Sequence, residues 1–164
     1  MRWMAWPAAA LMMIGSLCTA PVAQADEAAS ERVYEGVLPT EEQKIVLPAM
    51  PDERGRTECV QLLKTLMDAP RTLLWKEGRK LKASWTALEP GTAIATFKKG
   101  QYPQKGKKRG SKHAAIFLRA SEAGIYVLDQ FAGRHAAEER FIPWHNPRDK
   151  SPSNNAAAYS TVRW

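Results

Sequence analysis

Apolar positions recur at the three- and four-residue spacings of one helix face in RTECVQLLKTLM, residues 56–67. Leu62, Leu63, Leu66 and Met67 form the stripe and Cys59 joins it. Thr57 is placed as an N-cap, and the pattern stops near Pro70. The period then changes. A turn at Glu89, Pro90 and Gly91 leads into a strand-like run over residues 92–97. HAAIFLRASEAGIYVLDQF predicts two strands, residues 113–118 and 125–131, joined by a turn around residues 121–124. RFIPW is a further strand candidate, with Pro143 favouring an edge position or a strand end, and AYSTVRW alternates well enough to close the chain as a final strand. Upstream of the helix, residues 26–56 are polar and punctuated by Pro39, Pro48 and Pro51, as in an arm that wraps a domain or stays partly loose. The chain has no internal repeat and no low-complexity tract. One helix leading into an antiparallel sheet of several strands predicts an α+β fold.

The first 25 residues belong to a different pattern. Arg2 precedes the apolar run WPAAALMMIGSLCTA, and Ala23 and Ala25 then stand as an A-x-A cleavage site. This reads as a secretory signal peptide, so the protein is expected to be periplasmic or secreted. A stable membrane anchor is disfavoured, because Pro7 and Gly15 interrupt a run shorter than the roughly 20 strongly apolar residues of a span. Leu17 argues against lipidation of Cys18, since lipoprotein signals expect a small residue at that point. Cleavage after Ala25 leaves 139 of the 164 residues, a single-domain length. The expected layout is a signal peptide over residues 1–25, a polar arm over 26–56 and one domain over 57–164.

Cleavage also removes Cys18 and leaves Cys59 as the lone thiol in an oxidising compartment. Such a thiol is buried and inert, paired between chains, or used for its reactivity. A nucleophilic cysteine needs a base and a group that orients the base. His113 is the leading base, because a strand start can aim its imidazole at the helix, whereas His135 and His145 lie in turn-like surroundings. If the hairpin pairs residues whose numbers sum to 242, His113 faces Asp129; at 243 it faces Gln130. Chemistry favours Asp129, since a carboxylate both accepts the ring N–H and stabilises the imidazolium. The structural alternatives are a core thiol at Cys59 and an Asp129 that merely ends a strand and solvates a turn. A metal site built from Cys59, His135 and His145 lacks compact spacing, and no metal or other cofactor is expected.

Charge adds a candidate substrate wall. The net charge is +7, or about +6 once Arg2 is removed. KKGQYPQKGKKRGSK gathers Lys98, Lys99, Lys105, Lys107, Lys108, Arg109 and Lys112 among four Gly and Pro residues that break regular structure. This run is either a solvated loop or a positive wall for an anionic substrate, with Lys107, Lys108 and Arg109 as the candidate contacts. Nucleic acid is disfavoured, because only Phe97 and Tyr102 near the run could stack on bases and the export signal removes the chain from the cytoplasm.

Taken in order, TECVQLLK at a helix start, then GTAIATF, KHAAIFL and GIYVLDQF on successive strands, resemble the papain-related NlpC and CHAP class of bacterial cell-wall cysteine amidases and peptidases. The resemblance covers about residues 57–131. The chain carries Lys112 where that class often has a glycine before the histidine, and Glu58 where an aspartate or tyrosine often lies near the cysteine. The resemblance implies Cys59 as nucleophile, His113 as general base and Asp129 as orienting residue, on a papain-like fold whose helix packs on an antiparallel sheet. It implies hydrolysis of peptidoglycan amide bonds, with stem peptides as substrate, a cognate inhibitor protein as the expected partner and a monomeric state. The rival reading is a non-enzymatic periplasmic binding protein with a structural cysteine, using Trp144, Tyr159 and Trp164 as an exposed interface.

Overall fold

A computed structural model describes residues 30–36, 44–104 and 110–164. The signal-peptide segment and Lys105, Lys107, Lys108 and Arg109 lie outside the described residues. The strands are β1 (Val46–Pro48), β2 (Lys76–Lys80), β3 (Ala93–Thr96), β4 (Ala114–Ser121), β5 (Gly124–Asp129), β6 (Ala136–Pro143) and β7 (Tyr159–Arg163). They form one sheet in the order β1-β6-β5-β4-β3-β7-β2, with every neighbouring pair antiparallel. The central strands β3, β4 and β5 read as nearly continuous apolar runs because both faces of the sheet are covered. On one face, helix α1 (Cys59–Met67) packs Leu62 and Leu63 into a core with Trp75, Ile116 and Leu128. On the other, Phe117, Ile125, Val127 and Ile142 meet Leu81 from the short helix α2 (Leu81–Ser84). Among the described residues no helix is long and apolar enough to cross a membrane.

The helix starts one residue later than a Thr57 cap would require. Glu58 is the N-cap, with extended backbone and no side-chain cap bond. The Thr57 hydroxyl instead donates to the Phe131 carbonyl at 3.2 Å and accepts the Gly133 N–H at 3.1 Å, so it fastens the helix start to the end of β5. At the far end Asp68 adopts the left-handed conformation (φ 50°) and its N–H returns to the Leu63 carbonyl, stopping the helix two residues before Pro70.

Three strand expectations are refined. The segment preceding the helix contributes β1, paired with Ala136, Ala137 and Glu138 of β6, while Glu31 and Val33 bridge to Arg163 and Thr92. The strand around RFIPW is longer, covering Ala136–Pro143, and lies between β1 and β5; Pro143 is its last residue, as a missing N–H requires. The final strand inserts between β3 and β2. Trp144 and Tyr159 are buried, and the half-buried Trp164 stacks on Trp75 with centroids 6.0 Å apart. These aromatics are core, and the exposed interface expected of them is absent.

The β4–β5 hairpin has neither of the two registers considered. Near the turn the paired residue numbers sum to 245, as in Ser121 with Gly124; beyond a one-residue bulge between Phe117 and Arg119 they sum to 244, as in Ile116 with Leu128. Continued to the strand start, this sets His113 against Phe131 and puts Asp129 on the same face, one pleat away.

Candidate active site

Cys59 is the first residue of α1, where the backbone N–H groups of the opening turn have no intrahelical acceptors. It is half-buried in the floor of an open cleft of roughly 690 Å³, which is also lined by Glu58, Lys112, His113, Phe131 and Arg134. Its sulfur lies 3.7 Å from the hydroxyl of the buried Tyr102. Burial opposes the thiolate. The His113 imidazole beside it outweighs that cost, helped by the Tyr102 hydroxyl and the Ala114 N–H, and holds the thiol below its ordinary pKa.

His113 stands just before β4 and is 2% exposed. Its backbone is clamped to β3, donating its N–H to the Thr96 hydroxyl at 2.9 Å and accepting the Thr96 N–H at 3.0 Å. The ring stacks on Phe131 with centroids 4.6 Å apart, and its Nε2 is 2.8 Å from Asp129 Oδ2. Burial pulls the imidazole down, but the Asp129 carboxylate and then the Cys59 sulfur push it up to about 9.

Asp129 ends β5 and is 3% exposed. Arg140, from β6, donates to the same Oδ2 through Nε at 2.9 Å and Nη2 at 2.6 Å. Gln130 faces away from this cluster. Its amide accepts the Met50 N–H and donates to the Met50 and Glu58 carbonyls, each at 2.9 Å, and so ties the arm to the helix N-cap.

The structure therefore brings Cys59, His113 and Asp129 together from α1, the start of β4 and the end of β5. His135 and His145 sit apart on exposed loops, and among the described residues no group of three or more His, Cys, Asp or Glu side chains is clustered for metal binding. Lys98 and Lys99 are exposed, Lys112 lies on the cleft wall, and Lys107, Lys108 and Arg109 lie outside the described residues. Two participants were not assigned from sequence. Tyr102 reads in the sequence only as an aromatic in the basic run, and nothing in the sequence marks Arg140 beyond its place at the start of the apolar RFIPW.

Comparison with known proteins places the fold in a family. The family model for "Domesticated amidase effector 2" matches residues 38–162. The chain is 32% identical over 115 residues to a type VI secretion amidase effector 2 protein of Salmonella typhi, covering 64% of this chain and 84% of that protein. It is 32% identical over 110 residues to domesticated amidase effector 2 of Ixodes scapularis, covering 65% of this chain and 71% of the relative. The solved structure of type 6 secretion amidase effector 2 superposes with a TM-score of 0.59 at 28% identity, covering 71% of this chain and 86% of the other. With a helix-borne cysteine on an antiparallel sheet and a family match over most of its length, the chain belongs to the domesticated amidase effector 2 family, papain-like cysteine amidases related to the NlpC and CHAP class.

Proposed function

We propose that this chain is an exported amidase that hydrolyses peptidoglycan amide bonds, within or at the base of the stem peptide, through Cys59, His113 and Asp129. The observation that carries the reading is one buried imidazole that lies beside the Cys59 sulfur while its Nε2 is held by Asp129. With Nε2 engaged by Asp129, Nδ1 is left to serve the sulfur. The Cys59 thiolate attacks the carbonyl carbon, and the Cys59 backbone N–H at the helix start helps hold the oxyanion. The His113 imidazolium donates its proton to the leaving amine as the C–N bond breaks. Water, deprotonated by His113, then splits the thioester and returns the thiol and the carboxylic acid product. Asp129 keeps the ring oriented and stabilises its charge throughout. The secretion names of the relatives and the signal-peptide pattern support export.

The test is digestion of purified peptidoglycan with mass analysis of the fragments. Wild-type protein is expected to release fragments carrying one new amine and one new carboxylate per cut, and Cys59→Ser, which changes only the nucleophilic atom, to release none. Intact peptidoglycan after treatment with folded wild-type protein, or cutting by Cys59→Ser, would overturn the assignment.

A further inference from the structure

Three bonds converge on one oxygen of Asp129. His113 Nε2 reaches Oδ2 from one side, and the Nε and Nη2 groups of Arg140 reach it from another. Arg140 is itself anchored on its far side, with Nη1 donating to Asn154 Oδ1 at 2.8 Å and Nη2 to the Ser153 carbonyl at 3.2 Å. Its guanidinium packs 5.0 Å from the centre of the Phe131 ring, the ring on which His113 stacks. A planar fork held at both ends constrains direction in a way that a single point charge does not.

We propose that Arg140 is a positioning residue of the amidase reaction, acting through Asp129. The inference rests on the triad reading above. A buried carboxylate bonded to the imidazole alone could turn about its side-chain torsions and carry the ring with it. The Arg140 fork removes that freedom by fixing the oxygen that accepts from His113, so Nε2 stays the nitrogen turned to Asp129 and Nδ1 remains the one that faces the sulfur. The strand register supports the arrangement. Arg140 pairs with Val127, two residues before Asp129 and on the same face of the sheet, so a correctly paired β6 delivers the guanidinium to the carboxylate.

The test uses a soluble stem-peptide fragment as substrate and reads kcat and KM separately. Arg140→Met is expected to lower kcat about 10- to 100-fold, the scale of a misplaced catalytic group, with KM little changed. Arg140→Lys keeps the charge but loses the fork and should fall between Met and wild type. The decisive comparison is made in an Asp129→Asn background. If Arg140 acts through Asp129, adding Arg140→Met there costs little further kcat, whereas independent roles would multiply. That background also leaves no unpaired buried carboxylate, so the comparison survives if Arg140→Met alone does not fold. Multiplicative losses, or a rise in KM with kcat intact, would overturn the inference. A Cys59→Ser variant run alongside separates the two levels: if it is inactive while Arg140→Met behaves as wild type, only the role of Arg140 fails, and if it retains turnover, the triad and this inference fall together.

Discussion

At Cys59, burial and its neighbours pull in opposite directions. Desolvation favours the neutral thiol, yet the imidazole held by Asp129 supplies the compensating charge, and the thiol stays below its ordinary pKa. The two groups titrate as a pair, so the reactive thiolate–imidazolium state occupies a window that opens below the usual thiol pKa and closes as His113 loses its proton near pH 9. A haloacetamide is therefore expected to alkylate Cys59 rapidly near neutral pH, where an ordinary thiol of pKa about 8.5 is mostly protonated. His113→Ala should slow this reaction. Asp129→Asn should leave the thiol reactive but reduce turnover. Stopped alkylation quantified by mass shift reads these rates, and a thiol that reacts only after denaturation, with no dependence on His113, would identify Cys59 as core.

At the scale of elements, the site depends on how α1 is joined to the sheet. Gln130 makes that joint, since one buried amide serves Met50 in the arm and Glu58 at the helix N-cap. Gln130→Ala removes three part-buried bonds and strips the Met50 and Glu58 backbone groups of their side-chain partner, which is expected to cost about 1–3 kcal/mol and to lower the melting temperature. Denaturant unfolding measures the loss, and an unchanged midpoint would show that water replaces the amide. The helix, β3, β4, β5 and β7 were legible because their apolar periodicity is local. The register that selects Asp129 was not, because it is set by a bulge at Leu118, where no glycine or proline marks the chain. Without that bulge the sum of 245 would persist, and Gln130 would share the His113 face in place of Asp129. Residue chemistry pointed to the side chain that lies beside His113, which pairing arithmetic could not do. β1 was hidden for a different reason: three residues form a strand only because β6, about 90 positions downstream, offers them an edge.

Across the whole molecule cations outnumber acids, and Lys112, Arg134 and Arg140 are the described cations that line the cleft. Gln104 and Gly110, which flank residues 105–109, are both tied down beside it: the Gln104 carbonyl accepts Lys112 Nζ at 3.2 Å, and the Gly110 carbonyl accepts the Ser153 N–H at 3.1 Å. Gly110 also lines the cleft, and its left-handed backbone (φ 73°) sits where an added Cβ would lie 2.7 Å from the Ser153 hydroxyl, so its place against that turn is specific. Lys112 and Arg134 add cations to the same walls, although Glu58 and Asp149 line them too, so the cleft alone is mixed in sign. The three cations Lys107, Lys108 and Arg109 would tip that balance toward an acidic substrate such as a stem peptide with free carboxylates. On this reading kcat/KM falls as salt rises, by about 10-fold between low and high ionic strength, because the attraction acts through a screening length of about 8 Å at 0.15 M. Replacing Lys107, Lys108 and Arg109 together by Ser is expected to slow capture at low salt, flatten the salt dependence and leave kcat and the melting temperature unchanged, since rim charges act on encounter and not on chemistry. Rates of soluble fragment release measured across a salt series decide the matter: equal slopes for the wild type and the triple variant would make the run a solvated loop, and any steering would then have to come from Lys112 and Arg134.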